Sequence, residues 1–268
     1  MALLKIFAIC LFIVFSLCAQ NILNFGAISY EDTLQAQTVN ARAITAAIAK
    51  ANSSESTGDS RVVVIPKGKF YSLPIIINYC FDIVIEIQGK LVACSRIKHW
   101  PKNSNRINYQ DFIRIEFSNN VTLNGGGKID GRGYIWWLNS WLVTKKYMPA
   151  GASRPHLIAV DRAKNLTVHD LILKNSASFH LKIDQSIDVV IYNLDIRVNT
   201  TAQLDIFKRF YLIGTVPMFP LNTDGIDPNG RNFHIYNITC QNYDDVVVPK
   251  PAHRYNEGYV NCTENMLI

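Results

Sequence analysis

Four segments of this chain begin on a polar turn residue and run directly into a strand. They are Asn120-Val-Thr-Leu123, Asn165-Leu-Thr-Val168, Asp188-Val-Val-Ile191 and Asn232-Phe-His-Ile235. Their starts lie 45, 23 and 44 residues apart, which reads as two, one and two multiples of about 22. A fixed period of that length with β-type content predicts a solenoid, because each coil buries its apolar face only against the next. Asn and Asp suit its turns, since both tolerate left-handed backbone. The competing architecture is a β-sandwich, whose strands keep no period.

Upstream, the texture of short apolar runs and turns continues. Val62-Val-Val-Ile65 is closed by Pro66-Lys-Gly68, and Ile75-Ile-Ile77, Ile83-Val-Ile-Glu-Ile87 and Gly89-Lys-Leu-Val-Ala93 follow. These read as buried strands. Thr33 to Ala51 is the one clear helical stretch, alanine-rich, with apolar Val39, Ala43, Ala46, Ala47 and Ile48 and Asp32 or Thr33 as its cap. In a solenoid it would cover the edge of the first coil. The expected class is therefore all-β with a short amino-terminal capping helix.

Composition narrows the function. With 49% hydrophobic and 18% charged residues among 268, a sizeable core is expected rather than disorder. The net charge of +6 is diffuse. It suits an acidic polymer and gives no ground for a nucleic-acid partner. His156, His169, His180, His234 and His253 lack metal-ligand spacing, so neither metal nor cofactor is expected. Gly125-Gly-Gly127 precedes no Lys-Ser/Thr and is a turn, not a phosphate loop.

Met1 to Ala19 reads as a signal peptide: Lys5, an apolar run from Ile6 to Leu17, and small Ala19. The expectation is a secreted, extracellular monomer, off the membrane after cleavage, with an uncleaved anchor as the alternative. Cys80, Cys94, Cys240 and Cys262 then remain, and four cysteines allow three pairings. The preferred one is Cys80–Cys94 with Cys240–Cys262, the alternative being four buried thiols. Asn-x-Ser/Thr sequons occur at Asn52, Asn120, Asn165, Asn199, Asn237 and Asn261.

The chemistry concentrates between Pro220 and Val246. Asp224, Asp227, Asp244 and Asp245 fall in 22 residues, with Asp224 lying 20 and 21 residues before the double Asp. One coil of that length sets them side by side. Like charges in one site push at least one carboxyl toward its protonated form, which is the division into acid and base that glycoside hydrolysis needs. Asp-Gly and Asp-Pro-Asn-Gly also read as turn chemistry, an even choice for Asp227 alone. The pair Asp244-Asp245 before Val246-Val-Val248 suits a turn less.

These residues resemble glycoside hydrolase family 28, the polygalacturonases and pectinases. Asn222-Thr-Asp-Gly225 with Asp227, then Asp244-Asp245, carries the resemblance. Phe25-Gly-Ala27, Val64-Ile-Pro-Lys-Gly68, Gly127-Lys-Ile-Asp-Gly-Arg-Gly133 with Trp136-Trp137, Arg154-Pro-His-Leu-Ile158 and Asn175-Ser176 extend it over nearly all of the chain after the leader. The resemblance implies a right-handed, single-stranded parallel β-helix that hydrolyses α-1,4-galacturonan, or pectin, with inversion. It implies Asp244 as general acid, Asp224 and Asp245 as the pair activating water, and Asn222, Gly225 and Lys250 as substrate-binding. Asp227 would support a coil turn.

The family's Gly-His-Gly and Arg-x-Lys motifs do not occur before Ile268, and Val246 stands where the family often has Cys. The resemblance thus implies a leader over residues 1–19 and a β-helix over 20–268 that is incomplete at its carboxy-terminal end. Either the chain hydrolyses pectin, or it is a catalytically incomplete pectin-binding fragment. A β-helical lyase would need a Ca²⁺ site and a basic catalyst, and the paired acidic motifs speak against it. Trp100 and Trp136-Trp137 could stack on sugar, but core packing is the preferred reading. Lys208 and Arg209 would lie in a loop over the cleft and contact substrate.

Overall fold

The computed structural model describes residues 19–53, 55–104, 108–141, 153–201, 220–251 and 263–268. The leader up to Cys18, Lys208, Arg209, His253, Asn261 and Cys262 lie outside the described residues.

The chain coils into a parallel β-helix with three strand-bearing faces. The first stacks β1 (Gln20–Asn21), β2 (Val62–Ile65), β5 (Phe81–Ile87), β8 (Asn119–Asn124), β11 (Lys164–Lys174), β12 (Leu181–Arg197), β13 (Ile226–Gln241) and β14 (Glu264–Leu267). The second stacks β3 (Lys69–Ser72), β6 (Lys90–Ala93) and β9 (Lys128–Asp130), then the far ends of β11, β12 and β13. The third stacks β4 (Ile75–Asn78), β7 (Ile113–Glu116) and β10 (Ile158–Asp161), then the near ends of β12 and β13. Every pairing between these strands is parallel, as coiling in one sense requires.

The periodicity is real, but its expected double steps are corrected. Val121 pairs with Leu166, Leu166 with Val189, and Val189 with Phe233. Each step, long or short, is therefore a single coil. The two long connections, 131–157 and 198–225, leave and rejoin the described coils at one corner, between the second and third faces. Chain added at a corner leaves strand register intact, so the solenoid tolerates it.

Inward-facing residues form ladders through the coils. Ile85, Leu123, Val168, Ile191 and Ile235 stack in register, and so do Ile75, Ile113, Ile158, Leu181 and Ile226. All ten are buried, each contributing about 1.5–3 kcal/mol of apolar burial. The polar starts of the repeat adopt left-handed backbone as expected: φ is 55° at Asn120, 52° at Asn165, 59° at Asp188 and 60° at Asn232.

Helix α1 (Leu34–Ala51) caps the first coil. Thr33 Oγ1 accepts from Ala36 N at 3.1 Å and starts the helix. Its buried stripe runs through Ala36, Asn40, Ala43, Ile44, Ala47, Ile48 and Ala51, a 3.6-residue period. Alanines let the helix lie close on the coil. Asn40 fixes it, donating to Ile28 O and Tyr71 O at 2.8 Å each and accepting from Ile28 N at 2.6 Å. No helix among the described residues is long and apolar enough to cross a membrane.

The expected Cys80–Cys94 bridge is absent. Both are buried free thiols, and Cys240 is a half-buried free thiol. Cys80 sits between β4 and β5 with Sγ 3.6 Å from Asn78 O. Cys94 follows β6 and accepts from Arg96 N at 3.3 Å. Two strands and their turns separate the pair within one coil, so proximity in sequence does not bring them together. Burial pushes the Cys80 thiol up to about 11 and raises that of Cys94. Both are expected to resist iodoacetamide in the native protein and to react after denaturation without reductant, read as mass shifts on their peptides. Protection that survives denaturation would show a bridge instead.

The tryptophans follow the packing reading. Trp100, Trp136 and Trp137 are all buried. Trp136 lies on the short helix α2 (Tyr134–Trp141), edge-on to Trp100 at 5.4 Å and to Tyr109 at 4.7 Å.

Candidate active site

The second corner insertion ends in Asn222–Gly225, and the next pass of the chain brings Asp244–Val246 against it. Backbone bonds lock the two segments. Gly225 N donates to Asp245 O and Ile226 N to Val246 O, both at 2.9 Å. A Cβ on Gly225 would stand 2.4 Å from Val246 O, so only glycine allows this approach. Gly225 is buried against the next coil and joins the two acidic segments.

The Thr223–Asp224 backbone is held from below by His180. His180 N donates to Asp224 O at 2.8 Å. Its Nδ1 lies 3.2 Å from Thr223 O and 3.1 Å from Asp224 O, while Nε2 accepts from Ser176 N at 3.3 Å. These partners require a proton on Nδ1 and none on Nε2. Burial lowers the imidazole to about 4, so it stays neutral. Asn242 Nδ2 bonds Thr223 O and Asp245 O, and Tyr243 N bonds Thr223 Oγ1, tying the two segments again.

Asp244 is aimed by two amides. Asn222 N donates to its Oδ2 at 2.7 Å and Asp245 N to its Oδ1 at 3.0 Å. Asn222 has φ 58°, a left-handed turn that Asn accommodates. Asp224 is buried, whereas Asp244 and Asp245 are exposed. One carboxylate oxygen from each of the three lies within 4.8 Å of the others. No other group of three or more His, Cys, Asp or Glu among the described residues converges in this way. Burial raises the Asp224 carboxyl, Asp244 and Asp245 add to the rise, and a backbone bond and Lys250 oppose it.

The remaining sequence candidates separate. Lys250 turns its ammonium to Asp227 Oδ2 at 3.1 Å and Asp224 Oδ2 at 3.6 Å. Asp227 is fully buried on β13, not in a turn. Two residues of the site carried no sequence assignment. One is His180. The other is Arg154, which donates to Leu221 O and lies 3.5 Å from Asn222 Oδ1. Burial lowers the Arg154 guanidinium to about 10, opposed by nearby Asp224 and Asp244. Arg154 and His180 reach the site across coils, 67 and 43 residues from the groups they touch, and only the register reveals that.

The sequence profile of glycosyl hydrolases family 28 matches residues 56–262. The chain belongs to this family. A polygalacturonase of Persea americana is 31% identical over 197 residues, covering 72% of this chain and 37% of that protein. Polygalacturonase-2 of Solanum lycopersicum is 28% identical over 215 residues, covering 75% and 45%. The chain thus spans less than half the length of these curated relatives. Among solved structures, an exopolygalacturonase of Thermotoga maritima superimposes with a TM-score of 0.64 at 21% identity, over 86% of this chain and 54% of that one. An endo-xylogalacturonan hydrolase of Aspergillus tubingensis gives 0.60 at 24% identity, over 79% and 50%. These likenesses establish the fold, a pectin-lyase-like right-handed parallel β-helix.

Proposed function

We propose that this chain is a secreted, polygalacturonase-like glycoside hydrolase acting on α-1,4-galacturonan. The carrying observation is the convergence of Asp224, Asp244 and Asp245 on one point from two segments locked by backbone bonds. In this reading Asp244 protonates the glycosidic oxygen. Its aiming amides, Asn222 N and Asp245 N, then stabilise the carboxylate left behind. Asp224 and Asp245 orient and deprotonate the attacking water, and Asn222 and Arg154 border the sugar. The polysaccharide is the partner.

The carboxylates stand closer than the roughly 6.5–9.5 Å usual between the acid and base of inverting glycosidases. A water bonded to two oxygens at about 2.7–2.8 Å each still fits between oxygens that lie within 4.8 Å of each other. Single displacement therefore remains the mechanism proposed. Proton NMR on fresh polygalacturonate digests tests it. New reducing ends should appear first as the β anomer and then mutarotate. An initial α anomer would instead mean double displacement. Pectin binding without new ends would mean a binding protein.

A further inference from the structure

Beneath the three clustered acids lies a second arrangement that the hydrolytic reading leaves unused. Asp227 is wholly buried, yet among the described residues neither of its carboxylate oxygens has a hydrogen-bond partner, and Oδ2 faces the Lys250 ammonium at 3.1 Å. The same ammonium lies 3.6 Å from Oδ2 of Asp224, whose Oδ1 also lacks a hydrogen-bond partner among the described residues. Two carboxyls thus share one cation. Were both ionised, a net negative charge would sit buried and incompletely bonded, which costs several kcal/mol. One proton between them makes the trio neutral.

Among the described residues, the cations around the trio are engaged elsewhere or shared: Arg154 faces Asp244 as well as Asp224. Lys182, the register partner of Asp227 on β12, is already ion-paired to Asp184 at 2.6 Å. Lys250 also lies 5.1 Å from the Phe179 ring centroid, which fixes its head group. Arg154, Asp244 and Asp245 approach the trio from the Asp224 side.

We propose that Asp227 and Lys250 are a positioning pair that retains one proton beneath Asp224 and holds the Asp224 carboxylate toward Asp244 and Asp245. Asp227 is then a neutral acid in the resting protein, and Lys250 serves Asp224 rather than clamping a substrate carboxylate. Burial and the Asp224 charge push the Asp227 carboxyl up to about 7 against the pull of Lys250, in line with that geometry. The benefit to catalysis rests on the proposed hydrolysis, whereas the shared proton does not.

The test reads the proton directly. Carboxyl ¹³C NMR titration of the intact chain is compared with Asp227→Asn, Lys250→Met and Lys250→Arg. The wild type should show one aspartate protonated to near pH 7. That late step should vanish in Asp227→Asn, and Asp224 should titrate at lower pH. It should move to higher pH in Lys250→Met and return toward wild type in Lys250→Arg. In galacturonan hydrolysis, Asp227→Asn and Lys250→Met should lower kcat at least about 10-fold with KM little changed. Asp227 titrating with ordinary carboxylates, or Asp224 indifferent to all three substitutions, overturns the pairing. An inactive wild type that still shows the coupled titration removes the hydrolytic reading and leaves the pair standing.

Discussion

Asp244→Asn is expected to cut the release of reducing ends from polygalacturonate by about 10²–10⁴-fold, the usual contribution of a general acid, with affinity for the polymer nearly unchanged. The reason is geometric. Asp244 is exposed, so it can reach a glycosidic oxygen, and both its oxygens are fixed by amides from two different segments. Asparagine preserves the shape and loses the transferable proton. Its NH₂ accepts no hydrogen bond, so one of those two bonds is lost as well. Asp224→Asn should fall by a similar factor through the water it no longer activates. Equilibrium binding to pectin separates the two possibilities for Asp244: a loss of binding as large as the loss of turnover would make it a ligand contact rather than an acid.

The largest stability effect should come from Trp136→Ala, at about 3–5 kcal/mol. Trp136 is fully buried, with edge contacts to Trp100 and Tyr109 that alanine cannot replace. Such edge-to-face pairs add about 0.5–1.5 kcal/mol beyond their burial. Helix α2 belongs to the first corner insertion and also carries Trp137, whose Nε1 donates to Ser176 O at 3.0 Å. Ser176 in turn donates to His180 below Asp224. Loss of Trp136 should therefore lower the melting temperature on the order of 10 °C and weaken the support of the site. A calorimetric shift below 2 °C would contradict this account of the insertion.

What the sequence revealed follows from which interactions are local. Strand runs, the capped helix α1 and the left-handed Asn turns are written in neighbouring residues, and all three appear as read. The acidic segments were legible too, because one coil separates Asp224 from Asp244. The coil count was not. A 45-residue step and a two-coil step look alike until Val121 is seen to pair with Leu166. The Cys80–Cys94 pairing failed for the same reason, since distance along a coil is not distance in space. Arg154 and His180 escaped because their partners lie on other coils. Lys250 and Asp227 looked like a substrate contact and a turn residue. Their register, with Lys250 N bonded to Pro228 O at 2.9 Å, brings the two together, which the sequence does not show.

The most direct measurement of the central claim is reducing-end release from polygalacturonate by the folded 268-residue chain, run beside Asp244→Asn with matched circular dichroism. The account predicts steady release by the wild type and its near disappearance in the variant. Equal release by both, or none from a folded wild type, would contradict the claim that these three aspartates form a working hydrolytic site.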